Sequence, residues 1–307
     1  MPLYLTEKDV DGLLTPEEAV DAIEECFQRM ARGAVDILPR KRLRLEDGAL
    51  AVMAASDREL GMSGSKTYAA ASGKVTFLVT LFEGGEAVAV IEADRLGQLR
   101  TGAASGVATR YLAKADARTL GIIGCGWQAE SQVDCIRAAL PGIEEVVAYC
   151  RTEEKLADFC KRMDAEPGES HQDTAVQDIV VTATTSSDPV LRGEWLRAGA
   201  LVCAMGANRP RSRELDNVVL ERAGFVCCDL VEGAREESGD LIEPIEQGVL
   251  DWLEVHELHE VVGGELEGRQ SDEDIVLFQS NGLAAWDVAI AAAAIERARE
   301  RGVGTEL

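Results

Sequence analysis

The sequence predicts an α/β protein in which a doubly wound parallel sheet follows an α+β segment, and three observations carry that prediction. From Arg118 onward, short apolar runs at 120–123, 145–150, 179–183, 201–205 and 225–228 alternate with stretches of helical composition. Such alternation builds a parallel sheet with helices on its faces. At the first run, Gly121-Ile122-Ile123 passes into Gly124-x-Gly126-x-x-Ala129, and 130–140 continues with helical spacing. Before Arg118 the apolar pieces are separated by short turns instead, which reads as a mostly antiparallel sheet.

In order along the chain, 15–32 opens with Thr15-Pro16-Glu17-Glu18, a cap followed by an N1 proline, and predicts a helix. Strands are expected at 42–45, 50–55, 63–68, 76–82 and 87–92, with Gly84-Gly85 turning a hairpin between the last two. Residues 99–113 read as a helix rich in small residues. The run after Asp274 contains one long Ala-rich helix that cannot continue the sheet, and so is expected to return to the first domain. The expected domains are therefore 1–117 with 284–307, and 118–283.

The glycine turn has a physical reading. Gly124 permits a tight turn, Gly126 lets backbone approach a pyrophosphate, and Ala129 lets helix and strand pack closely. The helix N-terminus then offers N–H groups and a positive dipole end to phosphates. This is the start of a dinucleotide-binding fold.

Composition narrows the partners. The chain has 307 residues and a formal net charge of -24, which argues against nucleic acid or an anionic membrane. Two readings of that acidity stand, adaptation to a high-salt interior and an ordinary acidic enzyme. The start, MPLYLTEKDVDGLL, lacks the basic and apolar regions of a secretory signal, so a soluble cytoplasmic protein is expected. Eight cysteines form no CxxC pair and no His lies at metal spacing, so reduced, buried thiols and no metal are expected.

Cofactor choice is read at the end of the second parallel strand. Where an NAD enzyme places a carboxylate, this chain has Cys150-Arg151-Thr152. Arg151 suits a ribose 2′-phosphate through its planar fork, predicting NADP(H), with NAD(H) as the alternative because Glu153 and Glu154 follow.

The chain resembles the ornithine cyclodeaminase/mu-crystallin family over nearly its whole length. The carrying residues are Gly64-Ser65-Lys66-Thr67, Arg100-Thr101-Gly102-Ala103-Ala104-Ser105, Gly124-Cys125-Gly126-Trp127-Gln128-Ala129, Thr182-Ala183-Thr184-Thr185-Ser186, Ala204-Met205-Gly206-Ala207-Asn208-Arg209-Pro210, Glu214-Leu215-Asp216, and Phe278-Gln279-Ser280-Asn281-Gly282-Leu283-Ala284. The family includes ornithine cyclodeaminases, archaeal-type alanine dehydrogenases and ketimine reductases. The resemblance implies a Rossmann doubly wound parallel sheet plus a discontinuous α+β substrate and dimerisation domain, and hence a homodimer.

For the site, Arg40 and Arg100 are candidate clamps for a substrate carboxylate, with Arg42 a rival to Arg40 in Pro39-Arg40-Lys41-Arg42. The resemblance implies that Lys66 sits beside the reacting carbon, where a desolvated lysine near other cations exchanges a proton near neutrality. It also implies Asp216 as a second acid/base group, with Asp229 the runner-up and a helix cap the competing role for Asp216. Trp127, Gln128, Thr184, Ser280 and Gly282 are inferred cofactor neighbours beside Gly124, Gly126, Ala129, Arg151 and Thr152, and Thr101 reaches for the phosphates.

One departure bears on the reaction. Cyclodeaminases of the family carry a Glu two residues before the Met of a Leu-Met-Pro element, whereas here Leu50-Ala51-Val52-Met53-Ala54 places Ala51 there. A methyl group cannot hold an ammonium, although Asp57 or Glu59 could fold in, and 53–66 reads as a longer loop. The expected function is hydride transfer at the α-carbon of a small L-amino acid, its 2-oxo acid with ammonia, or a cyclic ketimine. A cyclodeaminase and a low-turnover NADPH-binding protein are the alternatives.

Overall fold

Alternating apolar residues and turn glycines build the first sheet. The computed structural model describes residues 1–307 and divides into two units, Met1–Arg100 with Gly282–Leu307, and Thr101–Asn281. In the first unit β2 (Val35–Leu45), β3 (Gly48–Asp57), β4 (Met62–Ala71), β5 (Lys74–Glu83) and β6 (Glu86–Glu92) form an antiparallel meander, and β1 (Leu3–Leu5) pairs parallel to β6. The sheet order is Thr305–Glu306, β1, β6, β5, β4, β3, β2. Gly84 and Gly85 hold φ of 58° and 88°, the left-handed conformation a two-residue hairpin demands.

The expected loop over 53–66 is corrected. Met53 and Lys66 are direct cross-strand partners in the β3–β4 hairpin, and only 58–61 connect the strands. Two helices cover this sheet. Pro16–Ala31 starts with a reciprocal cap, in which Glu18 N–H donates to Thr15 Oγ1 at 3.2 Å and Thr15 N–H donates to Glu18 at 2.9 Å. Ala284–Arg301 packs on β3 and β4 and against Pro16–Ala31, where Trp286 meets Phe27 edge-on at 5.4 Å.

In the second unit β7 (Thr119–Ile123), β8 (Glu145–Tyr149), β9 (Glu166–Pro167), β10 (Ile179–Thr182), β11 (Leu201–Ala204), β12 (Ala223–Cys228), β13 (Val255–Glu257) and β14 (Ile275–Gln279) are all parallel, in the order β13-β12-β14-β11-β10-β7-β8-β9. β8 and β9 lie to one side of β7, β10 and β11 to the other, so the winding reverses there. The crevice beyond the strand ends at such a point is where ligands bind in open α/β sheets.

Two readings differ from the structure. The run after Asp274 also holds a strand the sequence reading did not place, 275–279, fully buried between β11 and β12, ahead of the long helix that starts at Ala284. A strand buried on both faces shows no alternation, and so merged with the apolar helix that follows it. The division at Arg100/Thr101 falls inside the helix Asp94–Leu112 rather than after residue 117, and the return falls at 281/282 rather than 283/284. No helix is long and apolar enough to cross a membrane.

Candidate functional site

The first unit gathers the predicted substrate residues around one carboxylate. Lys66 lies mid-strand in β4 rather than closing it, and is 4% exposed. Its Nζ donates to Asp287 Oδ1 at 2.9 Å, and the same oxygen accepts from Arg100 Nε at 3.3 Å. Lys66 Nζ also lies 5.4 Å from the Phe77 ring, and the Arg100 guanidinium 5.7 Å from the Trp286 ring. Arg40 is buried at the irregularity where β2 slips register against β3, while Arg42 is exposed, which separates the two rivals.

Burial pushes the Lys66 amine down to about 8. Asp287 pulls it back up, and the Arg100 and Arg40 charges press it down. Two glycines make room for the cations. A Cβ on Gly97 would stand 2.8 Å from Lys66 Nζ, and one on Gly282, at φ 84°, 2.5 Å from an Arg100 terminal nitrogen. Gly282, inferred as a cofactor neighbour, thus also makes room for Arg100.

Asp287 escaped the sequence reading because a single Asp in an Ala-rich helix looks solvated; its place one turn from the Gly282 element was the available signal. The two acids that could have replaced the missing Glu are engaged elsewhere. Asp57 accepts from Arg29 at 2.6 Å, Glu59 from Arg32 at 3.0 Å, and Ala51 is buried.

The second unit holds the glycine turn. Gly124 sits at φ 113°, where a Cβ would run into the Ala183 carbonyl, and its N–H donates to Tyr149 O at 2.9 Å. Gly126 caps the helix Trp127–Ala139 without a side-chain cap, and nothing lies within 4 Å of the place its Cβ would occupy. Ala129 is fully buried, Trp127 is exposed, and the buried Oε1 of Gln128 has no hydrogen-bond partner. An uncapped helix start beside open space, with an orphaned amide oxygen, fits the pyrophosphate of a dinucleotide.

Arg151 and Thr152 are exposed beyond β8. Burial and the Arg151 charge press His171 below its usual value, and His171 packs edge-on against Tyr149 at 4.8 Å. Thr101 is half-buried within the helix Asp94–Leu112.

Buried carboxylates tie the strand ends together. Glu214, which the sequence reading passed over in favour of its neighbour Asp216, accepts from Thr182 Oγ1 at 2.9 Å, Thr184 N at 2.6 Å and Gly206 N at 2.7 Å, pinning the segments after β10 and β11. Asp229 accepts from Ser280 Oγ at 2.9 Å and Asn281 N at 2.8 Å, joining the ends of β12 and β14. Asp240 accepts from the backbone N–H groups of Glu214 and Leu215 at 2.7 and 2.9 Å. Burial raises the Glu214 carboxyl, and burial together with the Glu214 charge pushes Asp240 up to about 7.

Asp216 fills the helix-cap role that competed with the acid/base role in the sequence reading. Its Oδ1 accepts from Val219 N at 3.2 Å, capping the helix Asn217–Arg222, and from Gly193 N at 2.9 Å. The carboxylate beside Lys66 is Asp287.

Comparison with known proteins identifies the family. The model of the ornithine cyclodeaminase/mu-crystallin family matches residues 2–302. Alanine dehydrogenase of Archaeoglobus fulgidus is 34% identical over 319 aligned residues, covering 99% of this chain and 98% of that one. The structure of Thermococcus litoralis Δ1-pyrroline-2-carboxylate reductase in complex with NADH and L-proline superposes with a TM-score of 0.92 at 31% identity, covering 99% of this chain and 100% of that one. An archaeal alanine dehydrogenase dimer with bound NAD gives a TM-score of 0.93 at 33% identity, covering 100% and 98%. The chain belongs to the ornithine cyclodeaminase/mu-crystallin family.

Proposed function

We propose that this family member is a nicotinamide-dinucleotide-dependent oxidoreductase that exchanges hydride at the α-carbon of a small amino or imino acid, either an alanine-type amino acid or a cyclic ketimine. The observation that carries the reading is the buried Lys66–Asp287–Arg100 cluster with Arg40. Arg40 and Arg100 bind the substrate carboxylate, since guanidinium forks match its geometry. Lys66, titrating at about 8, exchanges the proton at the atom doubly bonded to the α-carbon. The bound dinucleotide supplies or accepts the hydride. In the reductive direction a 2-oxo acid first condenses with ammonia and loses water to give the imine, whereas a cyclic ketimine enters as such; the imine nitrogen takes its proton from Lys66, hydride adds to the α-carbon, and the π pair returns to nitrogen to leave the amine.

The relatives named above carry alanine dehydrogenase and pyrroline-carboxylate reductase activities in their names and hold NADH, NAD and L-proline in their structures, which supports the substrate class and the cofactor class. The exposed Arg151 supports a preference for the 2′-phosphorylated dinucleotide. A homodimer is supported by the dimeric relative and by the exposed Leu38, Leu43, Leu45, Val75, Leu78 and Phe82 on the first sheet.

Cyclodeamination of a diamino acid is disfavoured because Ala51 is apolar and Asp57 and Glu59 are committed to arginines. Purified protein with reduced dinucleotide and a panel of cyclic imines, or pyruvate plus ammonia, tests the reading. Net loss of nicotinamide absorbance supports it, whereas proline formed from ornithine without net dinucleotide change establishes the cyclodeaminase.

A further inference from the structure

The first turn of the helix Ala284–Arg301 contains two buried polar atoms that have no hydrogen-bond partner, Trp286 Nε1 and Asp287 Oδ2. Buried polar atoms are nearly always paired, so the orphaned Asp287 oxygen, whose sister oxygen is held by Lys66 and Arg100, marks a place for a guest. The charges facing that place are Arg40 from β2, Lys66 from β4 and Arg100 from the helix Asp94–Leu112, with the Phe77 ring from β5 beside Lys66. Those cations attract a carboxylate and repel a protonated nitrogen. The anion of the cluster is Asp287, and its Oδ1 is already shared by Lys66 and Arg100.

We propose that Asp287 Oδ2 accepts the N–H of the bound amino or imino acid, so that this carboxylate selects nitrogen over oxygen at the reacting position. The inference rests on the functional reading above. Once the imine nitrogen carries its proton, that N–H faces three cations and requires an acceptor. An ether or hydroxyl in its place brings either lone pairs toward Oδ2 or a weaker neutral donor. A hydrogen bond between two charged partners is stronger than a neutral one, so the site prefers an amine to its oxygen isostere.

The test compares binding of L-proline with (S)-tetrahydrofuran-2-carboxylate, and of L-alanine with L-lactate, to protein saturated with reduced dinucleotide so that no turnover occurs. The wild-type chain is expected to favour each amine by about tenfold or more. In Asp287→Asn the preference is expected to collapse toward unity while the oxygen ligands keep their affinity within about threefold. Equal weakening of both members of each pair, with the ratio kept, would show that Asp287 acts only by holding Lys66 and Arg100, and overturns the proposal. Should Asp287→Asn not fold, Asp287→Glu reads the same ratio: retention supports the proposal and loss overturns it. Wild-type protein that binds none of the four ligands refutes the functional reading, and the inference with it, whereas failure of the ratio test alone leaves that reading standing.

Discussion

The two units handle buried charge in opposite ways. Beside Lys66 and Arg100, Asp287 shares one oxygen between the two cations and keeps the other without a partner. At the strand ends of the second unit, Glu214 and Asp229 are instead met by hydroxyl and backbone N–H donors with settled geometry. The first arrangement leaves a buried carboxylate oxygen unsatisfied beside two cations. The second spends its carboxylates on holding loops.

The largest effect expected from that contrast comes from Lys66→Met. The rate constant kcat/KM should fall at least about 100-fold, the range for losing a general acid/base, while dinucleotide affinity is unchanged. Unaltered turnover would break the comparison at its first term. The same residue sets a pH profile. Lys66 is charged below about 8, so kcat/KM for reduction declines as pH rises through that value and oxidation gains over the same interval, whereas Lys66→Arg removes the limb.

Next comes Gly282→Ala, whose Cβ must take both a left-handed φ and the space of the Arg100 guanidinium. KM for the carboxylate substrate should rise about tenfold, equivalent to ~1.4 kcal/mol, with dinucleotide Kd unmoved.

Smaller effects sharpen the second unit. The folded-state carboxyl of Asp240 titrates near 7, above its ordinary value, so the folded protein binds a proton there that the unfolded chain releases. Its contribution to stability is complete in acid and is lost as pH rises toward about 7. The melting temperature should therefore drop across that interval, and Asp240→Asn should flatten the drop. Least affected is Asp216→Ala, which removes a helix cap. It should cost about 1 kcal/mol of stability and leave kcat intact; a collapse of kcat would return Asp216 to the catalytic role.

Much of the architecture was legible. The Thr15-Pro16 helix start, the Gly84-Gly85 hairpin and five strands of the parallel sheet stand where local spacing placed them, because turns, caps and buried runs are written in neighbouring residues. β14 was hidden by its seamless junction with an apolar helix. Of the buried cluster, the sequence singled out Lys66 and Arg100 but not Asp287. Lys66 and Asp287 meet across 221 residues, and no local spacing reports such a pairing. Asp216 satisfied the sequence criteria for an acid/base group and for a cap alike, and the bond from Val219 N shows the cap.

The central claim is that hydride moves between the dinucleotide and the α-carbon of an amino or imino acid. Reduction of Δ1-pyrroline-2-carboxylate, or of pyruvate with ammonia, by dinucleotide deuterated at the transferable nicotinamide position tests it most directly, with the product read by mass spectrometry. The account predicts one deuterium on the α-carbon of the amino acid formed. An unlabelled product, or label retained by the dinucleotide while ornithine is cyclised, would contradict it.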